Sequence, residues 1–376
     1  AGVTNAQFTA SSSGVSSPFS GNMYWGTGNH NFYSYYPYNS GYSGSSTTVP
    51  ITLSAAQIQT TGNNTSHLGT SDFTVATPLT GVTAGTAGEE TVVDFKFNHV
   101  FSILEFQIKR SSGSGDISEI SLFGNAPLSF TGTIDITQET PASGVSYNIT
   151  RTTSGNTLTL ALTSAMSPTN DYSTTPKIYL MTLPESYDGY LNIGIKSDGV
   201  YKFVQKATPS GGFKRGKKYT VQIDATNATD YPGTTLPAVS ITLGGGYGAV
   251  TFAPVNVGYD PDHKYGLLYQ WGRNSGQGYN TTETPAYSLV AGPVTTATGN
   301  NLENRNIFYS RTSSTYDWSS PQTSTEWGNG SYDPCPPGWR IPTHLELYEL
   351  WYFGATWMES SGPDNLPGGW VGTDHS

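Results

Sequence analysis

The chain has 376 residues, 44 of them Gly, 23 Pro and 25 Tyr, and only 12% are charged, a mixture that favours short strands joined by turns. Its formal charge of −10, from 17 basic and 27 acidic residues with no Lys/Arg stripe, excludes nucleic acid and anionic membranes as partners. No window approaches the run of about 18 apolar residues that a membrane helix needs, so no transmembrane segment is expected. The opening Ala1-Gly2-Val3-Thr4 has no charged-then-apolar leader, and any export signal is expected to have been removed. The length calls for two or three domains, and a single cysteine, Cys335, rules out an intrachain disulfide framework.

Up to about residue 90, loops mix with the alternating segments Val49-Pro50-Ile51-Thr52-Leu53 and Ser71-Asp72-Phe73-Thr74-Val75-Ala76, which put one face in a core. From Val92 to Lys109 the alternation of Val93, Phe95 and Phe97, followed by the apolar run from Val100 to Ile108, predicts two strands joined near Asn98-His99. Further strands are expected at Ile117–Leu122, Ser129–Ile136, Thr157–Leu162, Lys177–Leu183, Tyr190–Ile195, Tyr201–Gln205 and Tyr219–Ile223. Turn signals such as Ser112-Gly113, Asp188-Gly189 and Ser197-Asp198-Gly199 separate them. This spacing predicts antiparallel sandwiches over residues 1–226 and argues against a parallel sheet.

A linker is expected at 227–237, where two prolines interrupt a segment without periodicity. Beyond it, Trp271, Trp318, Trp327, Trp339, Trp351, Trp357 and Trp370 stand against Trp25 alone before it, so 238–376 reads as a different domain. Within it, Pro342–Trp351 predicts a short helix. Thr343 is the N-cap, Glu346 completes a capping box, and Leu347, Leu350 and Trp351 share one face.

Three segments carry a resemblance over 1–224. They are Phe32-Tyr33-Ser34-Tyr35-Tyr36-Pro37-Tyr38, Asp94-Phe95-Lys96-Phe97-Asn98-His99-Val100-Phe101-Ser102-Ile103-Leu104-Glu105-Phe106, and Phe213-Lys214-Arg215-Gly216-Lys217-Lys218-Tyr219-Thr220-Val221. In their order they resemble the fimbrillin-like pilins of Bacteroidales, of the FimA and Mfa type. Two further blocks are Phe252-Ala253-Pro254-Val255-Asn256-Val257-Gly258-Tyr259 with Tyr269-Gln270-Trp271-Gly272-Arg273, and Asp333-Pro334-Cys335-Pro336-Pro337-Gly338-Trp339-Arg340-Ile341-Pro342-Thr343. These look like the fibrobacter major paralogous (FISUMP) module, which is related to C-type-lectin-like folds.

The resemblance implies a mainly β chain. Two antiparallel, transthyretin-like β-sandwiches at 1–90 and 91–226 would be followed by a smaller α+β, C-type-lectin-like domain at 238–376. Such modules continue past their helix to a second cysteine, so this domain is expected to be incomplete at Ser376 and Cys335 to lack its partner. It further implies a fimbrium at the cell surface, reached through a lipoprotein precursor at the outer membrane. Assembly would be by donor-strand exchange with other fimbrial subunits, in which backbone hydrogen bonds supply affinity and alternating side chains supply register. Because a compositionally distinct domain follows the second sandwich, a tip-type subunit is expected.

Several residue groups could bear chemistry. His99 sits between strands with no nucleophile beside it and reads as a packed or hydrogen-bonded turn residue. Asp260-Pro261-Asp262-His263 lacks the alternation of a calcium loop and reads as a polar turn; no cofactor is expected, with calcium on Asp260 and Asp262 as the alternative. Glu346 and Glu349 are three apart, but capping already accounts for Glu346. Cys335, between two prolines, has no base to activate it. The tyrosines from Tyr33 to Tyr42 read as a sandwich edge, with paratope-like binding chemistry as the alternative. Among the C-terminal aromatics, Trp318, Trp327, Tyr279 and Trp370 are the candidate ligand contacts, whereas Trp271 and Trp339 belong to framework motifs.

The favoured function is a non-enzymatic fimbrial tip adhesin that binds a protein or glycan ligand on a host, matrix or microbial surface. A stalk or anchor subunit with a spacer domain would instead donate a strand to a neighbour. A surface glycan-active enzyme would turn glycans over and not merely bind them.

Overall fold

The structure is a computed structural model. It describes residues 5–12, 17–23, 26–42, 47–85, 93–113, 115–243, 248–260, 266–278, 288–310, 318–321, 327, 332–358 and 368–371, with side chains except at 188, 350–358 and 368–371. The chain divides into two compact units. The first comprises 1–199, 206–226 and 301–303, and the second comprises 200–205, 227–300 and 304–376. As expected, the described chain is mainly β.

In the first unit, Ser102–Lys109 is the centre of a three-stranded sheet, with Lys177–Thr182 on one side and Lys218–Asp224 on the other. A second sheet places Ile117–Phe123 between Tyr190–Ser197 and Thr157–Met166, and the latter carries Ala56–Gln59 at its far side. A third orders Ile149–Gly155, Ser129–Asp135 and Thr48–Leu53. Alternation decides which side chains go inside. Leu104, Phe106 and Ile108 from the first sheet are fully buried, as are Ile120, Leu122, Leu158 and Leu160 from the second. Leucine, isoleucine and phenylalanine side chains buried in this way each contribute about 1.5–3 kcal/mol. Nearer the N-terminus, Tyr35–Tyr36, Thr74–Ala76 and Phe97–His99 form another small sheet. There Tyr35 stacks on Phe73 with ring centroids 5.9 Å apart, while Tyr36 and Tyr38 are exposed.

Strand direction departs from the expected antiparallel pattern. Ser102–Lys109 runs parallel to Lys218–Asp224, and Ala56–Gln59 runs parallel to Thr159–Leu162. A two-residue period is the same for either direction, so alternation alone could not reveal this. The junction expected at Asn98-His99 also differs, because both residues lie in a strand that pairs with Thr74–Ala76. The chain bends at Val100 and Phe101, each 1% exposed. Their apolar side chains fill the core at the bend.

The outer edge of Lys177–Thr182 is closed by side chains. Gln57 pairs with both backbone groups of Met181, accepting from its N–H at 3.0 Å and donating to its carbonyl at 2.8 Å. Gln59 accepts from Tyr179 N–H at 2.8 Å and donates to the Lys177 carbonyl at 3.1 Å. Asn63 takes Lys177 N–H at 3.0 Å, and His67 Nε2 donates to the Tyr179 carbonyl at 2.8 Å. Every outward backbone group of Lys177, Tyr179 and Met181 is thereby satisfied, which removes an edge open to strand addition. The opposite end of the sheet differs: among the described residues no strand pairs with the outer edge of Lys218–Asp224.

Glu105 is the charged exception in the first sheet, with a side chain only 3% exposed. Lys218 Nζ reaches its Oε2 at 2.5 Å, Lys177 lies 3.5 Å from Oε1, and Gln107 donates to Oε1 at 3.0 Å. Burial pushes its pKa up, but the hydrogen bond and charge of Lys218, then Gln107 and Lys177, outweigh burial and hold it below its ordinary value of 4.5. A depressed folded pKa means that this stabilisation is complete above the unfolded pKa and is lost as pH falls through the folded value. Glu105→Ala is expected to lower the unfolding free energy by about 2 kcal/mol at neutral pH. Urea titrations check this, and the gap between variant and parent should shrink on acidification.

Candidate functional site: a tryptophan pair at a turn corner in the second unit

The second unit contains a hairpin of Val239–Leu243 with Gly248–Phe252 and a parallel pair of Ser288–Ala291 with Ile307–Ser310. It also holds the helix His344–Gly354. Much of its organisation comes from one turn. Arg273 N–H donates to the Gln270 carbonyl at 3.1 Å, and Gly272 sits between them at φ +78°, a value that favours glycine. Trp271 therefore occupies a turn corner and is 50% exposed. The indole of Trp327 lies against it, with ring centroids 4.7 Å apart and planes tilted by 53°.

Beneath this pair the turn is held by buried polar side chains. Gln270 accepts from Tyr309 N–H at 3.0 Å and donates to the Tyr309 carbonyl at 2.9 Å, replacing a neighbouring strand. Arg273, wholly buried, donates to the carbonyls of Ile307 at 2.6 Å and Asn304 at 3.1 Å. Its guanidinium also lies 5.4 Å from the Tyr309 ring and 5.7 Å from that of Trp318. Burial pulls its pKa down to about 10. Asn300 ties the turn further, donating to the Gly272 carbonyl at 2.9 Å and accepting from Asn274 N–H at 2.8 Å.

The indoles of Trp318 and Trp327 tie to the same turn. Trp318 Nε1 donates to the Trp271 carbonyl at 2.6 Å, and Trp327 Nε1 to the Arg273 carbonyl at 3.2 Å. With its N–H already satisfied, the Trp327 ring is held rigid against Trp271 and loses little entropy on contact.

Of the expected ligand contacts, Trp327 lies beside Trp271, whereas Trp318 is 5% exposed and stacks on Tyr309 at 6.0 Å, so it supports the pair from below. Trp370 pairs with Thr356 through its backbone, and its side chain lies outside the described residues, as does Tyr279 altogether. Trp271, read from the sequence as framework, is half exposed. The signal was its place before Gly272, since a Trp-Gly pair at the centre of a turn puts the ring on a corner. Asp260 is partly buried, and Asp262 lies outside the described residues.

The capping box forms as expected: Glu346 N–H donates to Thr343 Oγ1 at 3.2 Å and Thr343 N–H to Glu346 Oε2 at 2.8 Å. Arg340 clamps both Glu346 oxygens, at 2.6 and 2.8 Å. That clamp, against the opposing pull of burial and with help from Thr343, holds the Glu346 pKa down to about 2, a value suited to structure and not to proton donation. Leu347, expected on the helix's apolar face, is 48% exposed, and the side chains of Leu350 and Trp351 lie outside the described residues. Cys335 is held in a turn by Asp333, whose Oδ1 accepts its N–H at 2.9 Å. Burial and the Asp333 carboxylate push its thiol pKa well up, which disfavours the nucleophilic thiolate.

A profile of fimbrillin-like proteins matches residues 1–243, while Trp271 and Trp327 stand beyond that span. No curated protein matches the chain. Among solved structures, the chain is similar to a proposed cell adhesion protein of Bacteroides uniformis at 15% identity, covering 59% of this chain and 80% of that one, with a TM-score of 0.39. It is also similar to a proposed cell adhesion protein of Bacteroides ovatus at 18% identity, covering 57% of this chain and 72% of that one, with a TM-score of 0.35. The match over 1–243 takes in well over half of the 376 residues, and the chain belongs to the fimbrillin-like family.

Proposed function

We propose that this fimbrillin-like chain is a non-enzymatic, tip-type subunit of a cell-surface fimbrium. Its first unit joins neighbouring subunits by strand exchange, and its second unit presents Trp271 and Trp327 to a protein or glycan ligand. The observation that carries this reading is the half-exposed Trp271 with the partly buried Trp327 against it, beyond the family span, at ring centroids 4.7 Å apart on a turn fixed from below. A terminal position is supported by the Trp-rich unit that follows the family part. Strand exchange is supported by the edge of Lys218–Asp224, seven residues long and unpaired among the described residues. Sandwich architecture for the first unit and a C-type-lectin-like fold for the second belong to the same proposal.

Binding of the whole chain to an array of glycans and matrix proteins tests the adhesive part. Trp271→Ala is expected to weaken the strongest interaction by more than about tenfold, because exposed aromatic anchors carry a large share of contact energy. Its unfolding free energy should change by less than about 1 kcal/mol, since the turn's hydrogen bonds involve backbone and other side chains. Unchanged binding by Trp271→Ala, or turnover of a glycan, would contradict the proposal.

A further inference from the structure

The first unit contains a cleft of about 410 Å³ remote in sequence from the tryptophan pair, lined in part by Lys96, Asn98, His99, Ser143, Arg215 and Lys217. That volume lies within the range of small-molecule sites, roughly 300–1,000 Å³. Its charge is the reverse of the chain's. The protein carries a net −10, yet three basic side chains, Lys96, Arg215 and Lys217, line this cleft and no acidic one does.

Arg215 is 9% exposed and is fixed by carbonyls: Nε donates to Val145 at 2.7 Å, one terminal nitrogen to Pro141 at 2.7 Å, and the other to His99 at 3.5 Å. Its guanidinium stacks 5.0 Å from the Tyr147 ring. Carbonyls orient the group without neutralising it. With three of the five N–H groups of an arginine engaged, two are left for a ligand. Among the described residues no carboxylate forms an ion pair with Arg215, Lys96 or Lys217. The nearby acid, Asp72, is taken by His99 Nδ1 at 2.8 Å.

The uncharged part of the lining is polar and partly fixed. Asn98 Nδ2 donates to Thr77 Oγ1 and to the Lys96 carbonyl, each at 3.2 Å, and Thr77 Oγ1 in turn meets Thr140 Oγ1 at 2.9 Å. These bonds hold the Asn98 amide while leaving its carbonyl oxygen as an acceptor, and the Ser143 hydroxyl lies on the same lining. One fixed guanidinium with two exposed lysines, beside neutral amide and hydroxyl groups, matches a ligand with one anionic group and several hydroxyls.

We propose that this cleft binds an acidic sugar residue, its carboxylate or sulfate between Arg215, Lys96 and Lys217 and its hydroxyls against Asn98 and Ser143. This is a second binding site, independent of Trp271 and Trp327.

The test is titration calorimetry of the whole chain with glucuronic acid, glucose 6-sulfate, glucose, inorganic sulfate and a capped glutamate peptide. The two acidic sugars are expected to bind, glucose at least tenfold more weakly, and raised salt to weaken binding as it does for exposed charges. Lys96→Ser with Lys217→Ser, both surface changes, should cost about tenfold in affinity with the melting temperature unchanged, and Lys217→Glu should cost more. Absence of binding by both acidic sugars, equal binding by glucose, or no effect of the lysine substitutions overturns the proposal. Inorganic sulfate or the glutamate peptide binding as tightly as the acidic sugars overturns it too, by showing an anion or peptide site. Trp271→Ala should leave this binding intact, which separates its outcome from that of the tryptophan platform.

Discussion

Arg273→Ala is expected to unfold the second unit while the first stays folded, at a cost of about 3–5 kcal/mol. Removal of the side chain leaves the carbonyls of Ile307 and Asn304 without their donor, at about 1–3 kcal/mol each when buried. It also empties the space between Gln270, Tyr309 and Trp318, which adds a cavity penalty. Burial already works against the cation, as its lowered pKa shows, so the net benefit lies in what the guanidinium satisfies and fills and not in its charge. Arg273→Lys should recover little, because an ammonium cannot span two carbonyls while lying flat against two rings. Hydrogen exchange resolved by segment checks this. Rapid exchange should appear across 266–278 and 304–310 while Ser102–Lys109 remains protected. Protection retained in both regions would show that the hub is dispensable.

Gln57→Ala combined with Gln59→Ala is the second large expected effect. It leaves Met181 N–H and carbonyl and Tyr179 N–H unpaired, and at about 1–3 kcal/mol per buried group the loss should be at least about 3 kcal/mol. The same change uncovers an edge strand, so the variant should self-associate more than the parent. Denaturant midpoints measure the first consequence and light scattering the second. A parent-like midpoint with unchanged mass would mean that the two amides are incidental to the edge.

The glutamines also show where the sequence was hard to read. Along Ala56–Gln59 the structure buries Gln57 and Gln59 and leaves Ile58 63% exposed, the reverse of the rule that locates a strand by its apolar face. The rule failed because these amides serve the backbone of a strand more than 100 residues away, a relation no local window contains. Ile149–Gly155 was missed for a related reason, since Ser154 is its one buried residue and its face carries no apolar signal. Ser102–Lys109, Ile117–Phe123 and Thr157–Met166 were legible because leucine, isoleucine and phenylalanine recur there with the period of a pleat. The capping box was legible because Thr343 and Glu346 act within one turn.

The tryptophan pair was only partly legible. Abundance of tryptophan marked the C-terminal part, but sorting exposed rings from buried ones required knowing which backbone carbonyls the indoles reach. Trp318 is buried because its ring stacks on Tyr309 and its N–H finds Trp271, a residue 47 positions earlier. Trp271 is exposed because Gly272 lets the chain turn beneath it.

The most direct test of the fimbrial assignment is to mix the chain, after N-terminal trimming, with a fimbrillin stalk subunit that carries a free donor strand. A complex that survives gel filtration, held by backbone hydrogen bonds of an added strand, is the expected result. Two species that elute separately, with no stable complex formed, would contradict it.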